Sequence, residues 1–188
     1  MGKIGKLFIL SGPSGVGKGT VRREVFKHAD LDLKYSVSMT TRKKRPGEVE
    51  GVDYFFVTKK EFEDAIKNDQ LLEYAEFVGN FYGTPRSYVE KLTNEGHNVM
   101  LEIEVEGAKQ VIKKWKNAIS IFLFPPTFED LEHRIRNRHT EAEDILMKRL
   151  NKARLEMKMH NYYDYKVIND KVDQAASEIV KIIKQHQK

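Results

Sequence analysis

The stretch FILSGPSGVGKGT, Phe8 to Thr20, reads as strand, glycine loop and helix, and the rest of the chain is organised around it. Leu7 to Leu10 are consecutive large apolar residues, the pattern of a strand buried on both faces. Gly12, Gly17 and Lys18 then fit the core of a P-loop, G-x-x-x-x-G-K, whose backbone N–H groups turn inward around a phosphate chain. Pro13, Ser14, Gly15 and Val16 fill the loop, Lys18 adds a mobile positive charge, and the helix opening near it aims its N-terminal N–H groups at the same anion. The hydroxyl residue that commonly follows the lysine and holds Mg²⁺ is replaced by Gly19, with Thr20 one residue later. A helix turns about 100° per residue, so the Thr20 hydroxyl is expected to face phosphate, and the metal to be held mainly by phosphate oxygens and water.

With 188 residues the chain suits one domain, or one core with an inserted lobe. No apolar run is long enough for a membrane span, the start MGKIGK lacks the apolar stretch of a signal peptide, and no cysteine is present. These features fit a cytoplasmic protein with neither disulfides nor a thiolate metal site. The 33 Lys and Arg against 28 Asp and Glu leave a formal charge of +5, but the two signs are interleaved as on an ordinary solvated surface.

Downstream, Val21, Val25 and Phe26 continue an apolar helix face. Tyr35 to Ser38 reads as a short strand, Arg42 to Arg45 as an unbroken run of cations closed by the Pro46-Gly47 turn, and Val52 to Val57 as a further strand. An amphipathic helix over Lys59 to Asn68, a strand over Leu71 to Val78, a hairpin at Gly79-Asn80 and a helix opening at Pro85 complete a strand-rich block. Alternation then resumes: strand Asn98 to Glu104, helix Val105 to Lys116, strand Ala118 to Phe124, helix Phe128 to Asn137, strand Tyr165 to Ile168 and helix Val172 to Gln185. Strand and helix in repeated succession predict an α/β fold with a parallel sheet. The expected division is a core of residues 1–35 and 97–188, with a lid at about 139–160, and an inserted lobe of residues 36–96. In RIRNRHTEAEDILMKRL, Arg134, Arg138 and Arg149 flank a turn at His139 and Thr140, an arrangement expected of an arginine lid closing over transferring phosphates.

Four separated motifs carry a resemblance: GPSGVGKGT; YSVSMTTRKKRPGEVEGVDYFFV; EYAEFVGNFYGTP with LEIEVEGA; and the pair RIRNRHTE and YKVIND. In this order and spacing the chain resembles the bacterial guanylate kinases, P-loop nucleoside monophosphate kinases, over nearly its whole length. The resemblance implies transfer of the γ-phosphate of ATP to GMP, with dGMP as a further acceptor, and Mg²⁺ entering with ATP. It assigns the P-loop from Gly12 to Thr20, Arg134, Arg138, Asn169 and Asp170 to ATP. It assigns Ser38, Arg42, Arg45, Tyr54, Glu73, Tyr82, Gly83, Thr84 and Glu104 to GMP, and catalytic charge to Lys18, Arg42, Arg134, Arg138 and Arg149. Arg42 and Arg45 would grip the GMP phosphate, where bidentate guanidinium geometry is wanted. The pattern departs at Gly19, at Glu104, where many members carry Asp, and at His139, where Gly is usual.

A scaffold-type guanylate-kinase-like module that binds peptides is the alternative reading; such modules often carry a degraded P-loop, whereas Lys18 and its glycines are intact here. A nucleic-acid binder would need aromatic residues interleaved with a basic stripe, and none occurs. No nucleic acid or membrane partner is expected, and monomer and homodimer both remain open.

Overall fold

The structure, a computed structural model, describes residues 4–77, 79–137 and 143–187. Its strands β1 (Leu7–Ser11), β2 (Leu33–Tyr35), β7 (Asn98–Glu102), β8 (Ile119–Phe124) and β9 (Tyr165–Ile168) pair in parallel, in the order β2-β7-β1-β8-β9. β1 therefore lies in the middle, and its alternate side chains serve opposite faces. Phe8 and Leu10 join a cluster with Val21 and Val25 of α1 (Lys18–Val25) and Ile179 and Ile183 of α7 (Val172–His186). Leu7 and Ile9 pack with Val89 of α3 (Arg86–Asn94) and with Val105, Ala108 and Val111 of α4 (Val105–Lys114). A strand covered by helices on both faces has no polar side, which is why the run from Leu7 to Leu10 shows no alternation. Burying each such side chain contributes roughly 1.5–3 kcal/mol.

A second sheet is built from β3 (Ser38–Thr40), β4 (Tyr54–Phe56), β5 (Leu71–Phe77) and β6 (Asn80–Pro85), ordered β4-β3-β6-β5. The β5–β6 hairpin turns where Gly79 adopts φ 71°. α2 (Lys59–Lys67) covers this sheet with Phe62 and Ala65 buried, and the Phe62 ring stacks on Phe81 at 5.5 Å. Thr58 and Glu61 close its N-terminus in a reciprocal capping box.

The expected strand over Tyr35 to Ser38 is instead divided between the two sheets. Tyr35 ends β2, beside β7, and Ser38 opens β3, beside β4 and β6. Ser36 and Val37, both buried, carry the chain across, with the Ser36 N–H donating to the Met100 carbonyl. The strand expected from Val52 is also shorter, because a turn around Gly51 brings the Val52 and Asp53 N–H groups onto the Val49 carbonyl and leaves Val52 exposed. β7 stops at Glu102, so Glu104 stands as the residue preceding α4.

α5 (Phe128–Arg136), capped by the Thr127 hydroxyl, and α6 (Glu143–Met157) come before and after residues 138–142, where the turn is expected. Arg138, His139 and Thr140 lie outside the described residues. No helix among the described residues is long and apolar enough to cross a membrane.

Candidate active site

β1 delivers the chain into the glycine loop at the carboxyl edge of the parallel sheet. Gly12 (φ 152°) crosses so close to β8 that a Cβ there would stand 2.4 Å from the Leu123 carbonyl oxygen. Gly17 (φ 98°) immediately precedes α1, and a Cβ would meet Asn169 Nδ2 at 2.7 Å. Both positions therefore demand glycine for backbone conformation and for space. The loop and α1 border a cavity of about 280 Å³ lined by Ser14, Gly15, Gly17, Lys18, Gly19, Thr20 and Arg23, together with Glu102 and Glu104.

Lys18 Nζ donates to the carbonyls of Gly12 (2.8 Å) and Pro13 (3.3 Å). Burial lowers its pKa, and the carboxylates of Glu104, Glu156 and Glu102 work against that shift. The Thr20 hydroxyl accepts from Arg23 at 3.2 Å.

The underside of the loop is held by Asn169 and Arg134. Asn169 Nδ2 donates to the Val16 carbonyl (2.8 Å), while Arg134 reaches the same oxygen (3.3 Å) and the Asn169 carbonyl (3.0 Å). Asp170 beside it is exposed. From α6, Arg149 donates to the Ser14 hydroxyl (3.1 Å), Lys152 pairs with Glu104 (2.7 Å), and the buried Glu156 accepts the Ser14 N–H (3.3 Å). These three residues share one helical face by spacing, so α6 is laid against the P-loop. Arg134 and Arg149 thus both touch the loop, at Val16 and Ser14.

In the second sheet, Arg42 places Nη2 and Nη1 on the Glu48 carboxylate at 2.6 and 3.1 Å, and the Arg45 backbone N–H adds a third bond at 2.7 Å. The Arg42 guanidinium hydrogen bonds hold Glu48 below the usual carboxylate range. The Arg42 guanidinium lies 5.4 Å from the Tyr54 ring centroid, and Tyr54 meets Tyr82 edge-on at 5.9 Å. Donors converging on one carboxylate in this way would equally suit a phosphate monoester. The Arg45 side chain is exposed, and Ser38 opens β3 in register with Tyr54.

Glu73 is 6% exposed, so its carboxylate is not an ordinary solvated charge. The Thr84 hydroxyl, itself buried on β6, donates to its Oε1 at 2.7 Å. Burial pushes the Glu73 carboxyl up to about 7, against the hydrogen bonds from Thr84. Gly83 lets the hairpin close beneath it, since a Cβ would meet the Glu73 carbonyl oxygen at 2.9 Å and the Phe62 ring at 3.0 Å.

Among the described residues no group of three or more acidic or histidine side chains could cage a metal. A Cβ at Gly19 would stand 3.4 Å from Glu102 Oε1, so carboxylate oxygen faces the position that lacks a hydroxyl. Glu102 is engaged by Arg22 (2.6 Å) and Glu104 by Lys152. That donor set suits a cation brought in on phosphates and contacted through water.

Sequence reasoning passed over Glu48, Glu102 and Glu156. Glu48 follows the Pro46-Gly47 turn closing the cationic run, and Glu102 shares the LEIE strand end with Glu104; either position was a usable signal. Glu156 had none, lying in a charged helix whose buried face only the fold defines.

A sequence model of the family described as "Guanylate kinase" matches residues 4–186. The guanylate kinase of Oceanobacillus iheyensis is 56% identical over 180 residues, which cover 96% of this chain and 87% of the relative. That of Mesoplasma florum is 58% identical over 179 residues, covering 95% of this chain and 60% of the longer relative. The crystal structure of guanylate kinase from Anaplasma phagocytophilum superposes with a TM-score of 0.76 at 33% identity, covering 98% of this chain and 87% of that one. With identity above one half along almost its entire length, and the same architecture in a solved structure, the chain belongs to the guanylate kinase family.

Proposed function

We infer that this protein transfers the γ-phosphoryl group of ATP to GMP, giving ADP and GDP. The observation that carries this reading is the pairing, in one molecule, of a complete P-loop around Lys18 with a buried carboxylate, Glu73, in a separate sheet that also holds Tyr54 and Tyr82, with Arg42 just past the end of β3. The P-loop supplies the donor site and the second sheet the acceptor site. A peptide-binding module needs neither the lysine cage nor the buried carboxylate. The deciding experiment is a coupled assay of nucleoside diphosphate formation from ATP with GMP or AMP as acceptor: turnover with GMP alone is expected, and absence of turnover would favour the non-catalytic module.

Phosphoryl transfer asks little covalent chemistry of a protein; it asks for alignment and for positive charge where negative charge spreads. Lys18 and the loop N–H groups bind the donor phosphates. Arg42, freed from Glu48, takes the GMP phosphate with the Tyr54 and Tyr82 hydroxyls beside it, and Arg149 brings its charge from the lid. Glu102 and Glu104 would hold, through water, the Mg²⁺ that enters with ATP, and the ion would supply further positive charge to the phosphates.

Arg149 acts where charge develops, so Arg149→Ala is expected to lower kcat about tenfold or more, ~1.4 kcal/mol, while GMP affinity by calorimetry stays near wild type. A loss of GMP affinity in proportion to rate would move Arg149 to the acceptor site.

The pH dependence follows from Glu73. Guanine presents N1–H and N2–H donors, and a protonated carboxyl would set its own O–H against them, so only the ionised form reads the base. With the carboxyl at about 7 in the free protein, kcat/KM for GMP should fall about tenfold per pH unit below that value. Glu73→Gln should abolish this limb, leaving the one due to the GMP phosphate near ~6. An unchanged profile in the variant would show that Glu73 is not the group that titrates.

A further inference from the structure

Helix α4 belongs to the core, yet its face of residues 107, 110 and 114 is applied to β5, the edge strand that carries Glu73. A Cβ built on Gly107 would lie 2.7 Å from Glu73 Oε2, 3.3 Å from Cδ and 3.5 Å from Cγ, all atoms of one side chain. Gly107 has no positive φ, so its backbone would accept alanine, the better helix former. What glycine supplies here is the volume taken by the Glu73 carboxylate.

One turn on, the Gln110 side chain closes a reciprocal pair with the β5 backbone. Oε1 accepts the Tyr74 N–H (3.2 Å) and Nε2 donates to the Tyr74 carbonyl (3.0 Å). Gln110 stands in for the neighbouring strand that an edge lacks, at the residue next to Glu73. A further turn on, Lys114 Nζ donates to the Leu71 carbonyl at 2.8 Å. The register between β5 and β6 shifts between Leu71 and Glu73, a bulge that re-aims a side chain. The strand is therefore gripped on both sides of Glu73, and a gap is left for its carboxylate.

We propose that Gly107 and Gln110 are positioning residues that set the base discrimination of the enzyme, by fixing the place of the Glu73 carboxylate from the core helix α4. The proposal rests on the reading of Glu73 as the group that recognises guanine. A methyl at residue 107 meets the mobile end of a side chain rather than backbone, so the carboxylate is displaced while the helix keeps its path.

The test is a double-mutant cycle with ATP as donor and GMP, IMP or AMP as acceptor, IMP lacking the N2 amino group. Gly107→Ala should raise KM for GMP about tenfold, keep kcat and KM for ATP within about twofold, and narrow the preference for GMP over IMP. Thermal unfolding should be unchanged or shifted upward. In a Glu73→Gln background the same substitution should alter KM for GMP less than about twofold, because the group it displaces no longer reads the base as an anion.

A Gly107→Ala enzyme with unaltered KM for GMP, where Glu73→Gln alone raises it, overturns the proposal, as does an equal effect in both backgrounds. A Glu73→Gln enzyme with normal KM for GMP overturns instead the guanine reading on which it rests. Should Gly107→Ala fail to fold, Gln110→Met, which removes both bonds to Tyr74 at nearly constant volume, is judged by the same criteria.

Discussion

Lys18→Ala is expected to lower kcat by ~10³, the effect of removing one preorganised charge donor at its upper end, with the fold retained. The ammonium group is already caged by the Gly12 and Pro13 carbonyls, and three glutamates, at positions 102, 104 and 156, attract it from around the loop. A charge held this way needs no reorganisation when negative charge moves between donor and acceptor oxygens. Water, which would have to reorient around the moving charge, does not replace it. Loss of the side chain leaves two loop carbonyls without a donor, at a cost of ~1–3 kcal/mol, so unfolding should remain cooperative with a modestly lower Tm. Lys18→Arg should rescue little, since a planar guanidinium does not fit a cage shaped for a point charge. Steady-state rates with purified variants decide the matter, and near-normal GMP phosphorylation by Lys18→Ala would remove the P-loop from the mechanism.

Glu73→Ala should lower kcat/KM for GMP by ~10² and collapse a GMP over AMP preference that sites of this type can raise to ~10⁴. Guanine offers adjacent N1–H and N2–H donors, and a carboxylate offers paired acceptors. Adenine has an acceptor at N1 and only hydrogen at position 2, so AMP would strand a desolvated carboxylate. Discrimination comes largely from that penalty, and deleting the side chain removes it. Affinity for ATP should not change. The burial that creates the penalty also acts on the free protein. A carboxyl raised in the folded state contributes stability below its ordinary pKa and loses it as pH rises through about 7. Glu73→Gln should therefore unfold at a higher temperature than the wild type at pH 8, and the advantage should vanish near pH 4. A fall in kcat/KM for GMP smaller than about threefold in Glu73→Ala, under ~0.7 kcal/mol, would show that another group reads the base.

What the sequence by itself determined was whatever depends on near neighbours along the chain. The run Leu7 to Leu10 and the spacing of Gly12, Gly17 and Lys18 specify a buried strand, a phosphate loop and a helix start, because apolar continuity, backbone freedom and capping act over a few residues. The helical spacing of Val172, Ala175, Ala176, Ile179, Ile182 and Ile183 is equally legible in the sequence, and all of them but the partly buried Val172 are buried. Tertiary structure decided what depends on residues brought from far away. Tyr35 and Ser38 read as one strand, yet each pairs with a different sheet, since a strand's ladder partner lies elsewhere in the chain. Glu73 is assigned to GMP by resemblance alone; nothing near it in the chain shows that the approach of Gly107 and Thr84 closes over its carboxylate, or that burial moves its pKa. Arg42 read as a phosphate ligand, and the fold adds Glu48 as its partner. Desolvation and Coulomb forces depend on distance in space, and only the assembled fold supplies that distance.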